Sequence, residues 1–169
     1  MFVAEMGISY TVWTPGEELM GSFSQRRGQQ ICGLELLGAL LGRQLFISPR
    51  TRCVSTAYCA LKGISTFLKD CAGKTVRLWT DNDGGLGALV RGSAGAEDHN
   101  AIVHAVWLMA AVNRIGLFVG RVSSRDNISD YPSRGDHAVL KSLGAIERAP
   151  WLPCELWSPG DWENVVRYW

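Results

Sequence analysis

Three carboxylates stand where a charge interrupts or ends an apolar run: Glu35 in CGLELLGALLG, Asp81 closing TVRLWTD, and Asp130 in DNISDYPSR. A lone carboxylate among leucines costs several kcal/mol unless a partner, a metal or water compensates it. Glu35 is therefore either a helix-edge residue that reaches solvent or a ligand. Asp81 ends a strand-like run, the position at which open α/β sheets hold ligand-binding groups. Asp83 follows on the same face, and the plainer reading of TDND is an Asx turn or a helix N-cap. Asp130 has an equally plain alternative, with Asn127, Ser129 and Asp130 capping a helix whose first turn accepts Pro132. Three clustered carboxylates would repel one another and raise their own pKa values unless a cation neutralised them. Hard oxygen ligands suit Mg²⁺ or Mn²⁺, and two such ions about 4 Å apart would clamp a phosphodiester for attack by water.

The elements that must position these residues follow from pattern. ISYTVW is rich in β-branched and aromatic types and stops at Thr14-Pro15-Gly16, and MGSFSQ supplies a short antiparallel partner. Ile31, Leu34, Leu37 and Leu41 recur at helical spacing, which predicts a buried helix over CGLELLGALLG. TVRLWT reads as an interior strand covered on both faces. Ile102, Val103, Val106, Trp107 and Ala110 mark one face of a helix from about His99 to Arg114, ending near Asn113 and Gly116. GLFVGRV is another strand, and the loop SSRDNISDYPSRGD leads to a helix at HAVLKSLGA. The expected class is α/β, a mixed central sheet with helices on both faces. If the first helix crosses the strand that ends at Asp81, Glu35 and Asp81 converge, and the segment after GLFVGRV brings Asp130 to the same edge.

A chain of 169 residues suits one domain. With 17 basic and 16 acidic residues the chain has no global pull toward nucleic acid or membrane, so a polyanion must be held locally. The 5 cysteines are odd in number and lack CxxC spacing, and Cys32 and Cys71 lie in apolar contexts. They read as reduced thiols. No leader pattern and no long uncharged apolar run occurs, so the expectation is a soluble intracellular protein, cytoplasmic or nuclear, without a membrane partner. Residues 150–169, rich in Trp and Pro, show no regular period and read as an irregular tail. Their tryptophans suit packing on the sheet or stacking on bases.

In order, LELLGALL, VRLWTDNDGGLGALVRGS, the Trp107 helix and FVGRVSSRDNISDYPSRGD resemble the ribonuclease H-like domain that follows the polymerase in retroelement (retrotransposon) reverse transcriptases. The resemblance covers about residues 8–145, within an expected domain of residues 1–149. It implies a ribonuclease H-like fold and Mg²⁺- or Mn²⁺-dependent hydrolysis of the RNA strand of RNA/DNA hybrids with two ions bound. The ancestral setting would be a larger polyprotein. It carries Glu35, Asp81 and Asp130 over as catalytic metal ligands, while Asn82, Asn127, Ser133 and Arg134 shape the site. Two departures stand out. The family's first Asp lies on the first strand, where this chain offers only Glu5, so either Glu5 substitutes or that strand lies upstream of Met1. Loss of that acid would leave a catalytically degenerate remnant with at most nucleic-acid binding. Glu35 and Asp81 are also 46 positions apart, about twice the expected separation. Removing residues 43–63 would join ELLGALLG to ISTFLKD as one amphipathic helix, which predicts an insertion there. The alternative is a genuine extra hairpin or helix whose Arg43, Arg50, Arg52 and Lys62 touch a phosphate backbone.

Other chemistry is weaker. DGGLGALVRGS has neither a GxGxxG nor a Gly-Lys-Ser/Thr signature, so a nucleotide loop is not expected. His99 and His104 are off the i, i+4 spacing of paired zinc ligands. His137 suits a helix's first turn better than proton transfer. No serine lies in a nucleophile motif.

Overall fold

The structure, a computed structural model, describes residues 9–13, 36–41, 44–49, 54–95 and 97–149. They form a mixed α/β fold. In chain order come β1 (Ser9–Trp13), β2 (Leu36–Leu41), β3 (Gln44–Pro49), α1 (Val54–Thr66), α2 (Leu68–Cys71), β4 (Thr75–Thr80), α3 (Asp83–Arg91), α4 (Glu97–Val112), β5 (Gly116–Arg121), α5 (Asp130–Ser133), α6 (Ala138–Ser142) and β6 (Ile146–Glu147). The six strands make one sheet in the order β5-β4-β3-β2-β1-β6. β1, β2 and β3 form an antiparallel meander, whereas β3, β4 and β5 run parallel, and β6 lies parallel to β1. Parallel neighbours require crossovers, supplied by α1 with α2 between β3 and β4, and by α3 with α4 between β4 and β5.

The crossover helices bury one face of the sheet. Leu61, Ile64 and Phe67 meet Val76 and Leu78 of β4 and Leu89, Val103, Val106 and Met109 of α3 and α4 in the main core. Burial on β4 alternates strictly, with Val76, Leu78 and Thr80 buried, Thr75 and Arg77 exposed and Trp79 intermediate. The expected covering of β4 on both faces is thus corrected, and the polar Thr75 and Arg77 are the physical reason. The sheet register places Tyr10 in one row with Trp79, on the face opposite Leu78. There Tyr10 packs with Leu140 of α6 in a smaller cluster joined by Ile128 and Ala145. Helices therefore lie on both faces of the sheet.

The chain differs from expectation at its second element. Leu36–Leu41, expected within a buried helix, is the strand β2, paired with both β1 and β3. A six-residue apolar run carries no period that separates helix from strand, and here two neighbouring strands satisfy its backbone. Of residues 43–63, expected as an insertion or as an extra hairpin or helix, Gln44–Pro49 forms β3 beside β4 and residues 54–63 lie in α1. Lys62, expected as a candidate phosphate contact, is only 6% exposed. Burial pushes its ammonium pKa down to about 8. MGSFSQ, Arg43, Arg50, Arg52 and the 150–169 tail lie outside the described residues, and no described helix is long and apolar enough to cross a membrane.

Candidate functional site

The site grows from the carboxyl ends of the parallel strands. β4 delivers Asp81, half-buried, immediately after the buried Thr80. Both flanking residues are pinned. The Thr80 carbonyl accepts from the Val122 amide at 3.0 Å, and its hydroxyl accepts from the Asn82 amide at 3.2 Å. The Asn82 carboxamide oxygen then accepts from the Gly85 amide at 2.9 Å and caps α3. Among the described residues nothing hydrogen-bonds or ion-pairs with the Asp81 carboxylate itself. The backbone is fixed on both sides of a carboxylate that stays available, an arrangement suited to a ligand-binding group.

Asp83, weighed as the cap, is instead the first residue of α3, and its carboxylate accepts a bond of 2.6 Å from Arg121 Nε at the end of β5. An acid in the first helical turn also suits the positive end of the helix dipole. Of the glycines that follow, Gly85 serves packing. Gly85 abuts Thr56 of α1 so closely that a Cβ there would overlap the threonine side chain. Trp107 of α4 donates from its indole nitrogen to the Leu89 carbonyl at 2.9 Å and ties α4 to α3. The residues that looked like a glycine-rich loop are a close-packed helix start.

Asp130 arrives on the segment after β5. Asn127 and Ser129 are buried at 1% and 0% exposure. The Asn127 side-chain oxygen accepts from the Ser129 hydroxyl at 2.7 Å and its amide at 3.3 Å. Ser129 therefore braces the loop instead of capping α5 with its side chain. The Asp130 amide donates to the Asn127 carbonyl at 3.0 Å, placing Asp130 at the start of α5, which packs on β2 and β3. Its carboxylate accepts from Arg134 Nη2 at 3.1 Å. His137 precedes α6 and sets its ring against Tyr10, with centroids 5.8 Å apart, a packing role. His104 is exposed.

Of the four carboxylates expected to hold metal, Asp81 and Asp130 are described, whereas Glu5 and Glu35 lie outside the described residues. Both aspartates carry the hard oxygen donors that a divalent cation takes. Among the described residues no group of three His, Cys, Asp or Glu side chains comes together, so these residues alone build no metal centre. Sequence reasoning passed over Arg125 and Tyr131, which line a surface cavity beside Asp130. The signal available was the basic and aromatic content of the SSRDNISDYPSR loop.

Comparison with models of protein families, with curated proteins and with solved structures finds no match to this chain.

Proposed function

We propose that the chain is a ribonuclease H-like domain of retroelement origin whose reaction is Mg²⁺- or Mn²⁺-dependent hydrolysis of the RNA strand of an RNA/DNA hybrid. The observation that carries this reading is Asp81. Its carboxylate is uncommitted among the described residues, sits at the carboxyl end of β4, and is flanked by anchored neighbours. The Asn127 to Arg134 segment, which bears the second aspartate, follows the adjacent parallel strand β5. Two divalent ions in such a site supply an activated water and charge stabilisation at the leaving oxygen. Asp81 would hold and orient, Asn82 would fix the strand-to-helix turn, and Asn127 with Ser129 would set the approach of Asp130. Hybrid recognition would rest on backbone and 2′-hydroxyl contacts rather than base sequence.

A second reading, a catalytically degenerate remnant that binds nucleic acid without hydrolysis, is favoured by one feature. The strand beside β4, β3, contributes no carboxylate from Gln44–Pro49. A hybrid-cleavage assay with Mn²⁺ separates the two. Wild-type turnover that Asp81→Asn abolishes, with unchanged circular dichroism, supports hydrolysis. Equal turnover of the two proteins would remove Asp81 from the chemistry, and hybrid binding without cleavage by the wild type would favour the remnant.

A further inference from the structure

Between the loop after β5 and α5 lies an open cavity of about 170 Å³, lined by Ser124, Arg125, Asn127, Asp130, Tyr131 and Arg134. That is many times the ~10–15 Å³ that admits one water. Its walls hold two guanidinium groups against one carboxylate. Arg134 spends one donor on Asp130, and its side chain remains 71% exposed. A guanidinium carries five donors in a planar fork, so most of that fork is left for a ligand. Arg125 has no ion-pair partner among the described residues. The neighbouring acid, Asp126, has its carboxylate bound by the Ser123 hydroxyl at 2.6 Å.

The frame around the cavity is braced. The turn carrying Arg125 is closed by the Asp126 amide donating to the Ser123 carbonyl at 3.0 Å. On its other side the buried Asn127 and Ser129 lock the entry to α5. Two cationic forks with a serine hydroxyl and a phenol on a fixed frame match the multiple acceptor oxygens of a phosphate better than a single point charge. The segment follows β5, which ends level with β4, since the Val122 amide bonds the Thr80 carbonyl.

We infer that this cavity is a phosphodiester-binding subsite, in which Arg125 and Arg134 grip one backbone phosphate of a nucleic-acid strand and Asp130 orients the Arg134 fork. The inference rests on the nucleic-acid reading above and adds to it the residues that hold the strand.

The test uses the full chain and a labelled RNA/DNA hybrid, with dissociation constants measured across a salt series. Arg125→Gln and Arg134→Gln are each expected to weaken binding about tenfold and to lower the slope of log K against log salt by about one contact. Arg134→Lys, which keeps the charge and loses the fork, should fall between. Arg114→Gln, before β5 at the opposite end of the strand, removes the same charge and should change neither quantity. A parallel arm measures the thermal shift given by inorganic phosphate. If wild type binds hybrid and both Gln variants match it in affinity and slope, the subsite is overturned while the nucleic-acid reading survives. If wild type binds no hybrid yet gains stability from inorganic phosphate, and the Gln variants lose that gain, the cavity serves a free phosphate and both assignments fall. If wild type responds to neither ligand, both fall as well.

Discussion

Gly85 offers the sharpest test of how the site is held in place. It sits in the first turn of α3, three residues after the Asn82 cap, and a Cβ at this position would lie under 3.0 Å from three atoms of the Thr56 side chain on α1. One of those atoms is the Thr56 Cβ, which no rotamer change can move, so α1 and α3 must separate. Overpacking of this kind costs about 1–3 kcal/mol, and a clash with a side-chain stem belongs at the upper end. Alanine returns about 0.8–1 kcal/mol of helix propensity over glycine. The net expectation for Gly85→Ala is a loss of about 2 kcal/mol. Gly87→Ala is the matched control, because its new Cβ would meet only the mobile end of Arg91, with Nη1 at 3.0 Å. That change should stabilise by about 0.5–1 kcal/mol. Urea unfolding followed by tryptophan fluorescence measures both, and the slope with denaturant should stay constant. In a double-mutant cycle, Thr56→Ala should recover only part of the Gly85→Ala loss, since its own Cβ remains. Equal free-energy changes for the two glycine variants, or a stabilised Gly85→Ala, would refute the close approach of α1 and α3.

Arg114 occupies the left-handed region at φ 53°, where the Ile115 and Arg114 amides close the end of α4 on the carbonyls of Ala110 and Ala111. Arg114→Gly should therefore raise stability by about 0.5–1 kcal/mol in the same urea experiment, the relieved backbone cost exceeding the added unfolded-state entropy; a loss of stability would count against the motif. The folded pKa of Lys62, about 8, lies below its ordinary 10.5, so the unfolded chain binds more protons between those values and stability rises with pH across that window. The gain is about 1 kcal/mol between pH 8 and 9. Burial raises the thiols of Cys59 and Cys71 above their ordinary 9.0, so above about pH 9 the unfolded chain loses protons first and stability falls. Urea midpoints from pH 7.5 to 10.5 should pass through a maximum near pH 9, and Lys62→Met should erase the rise but keep the fall; a wild-type profile falling steadily from pH 8 would contradict the burial of Lys62.

What could be read in the sequence was what local chemistry decides. TVRLWT followed by TDND gave a strand and then a helix start, and the long apolar face around Val103 and Val106 gave α4 to within two residues at each end. What could not be read depends on partners distant in sequence. Whether LLGALL becomes helix or strand is decided by pairing with β1 and β3, and neither neighbour is visible in the run itself. The purpose of Gly85 depends on Thr56, 29 positions earlier, lying against it. The end of α4 shows the same limit, since glycine is the expected left-handed residue and Gly116 stood nearby. The chain instead places Arg114 there and uses Gly116 to begin β5. The places of Asp81 and Asp130 in the fold were legible because each ends or follows a strand. Which side chain caps α3 was not, because Asn82 and Asp83 are both good caps and only the bond to the Gly85 amide distinguishes them.

The Asp130 and Arg134 pair links the two functional readings, and its magnitude decides how firmly it restricts either. The two residues are spaced i, i+4, and the Arg134 side chain is 71% exposed. Such pairs contribute about 0.3–0.5 kcal/mol. Asp130 occupies one donor of a five-donor fork, whereas a phosphate offers several charged acceptor oxygens to it at once, so a phosphate competes for the fork. By the same comparison the pair is too weak to withhold Asp130 from a stronger cation. The contact therefore orients the Arg134 fork in the absence of ligand without committing it. Engagement of Asp130 by Arg134 is consequently compatible with hydrolysis as well as with binding alone. The balance between those readings turns on the acids that accompany Asp81, since the Asp130–Arg134 pair is energetically minor.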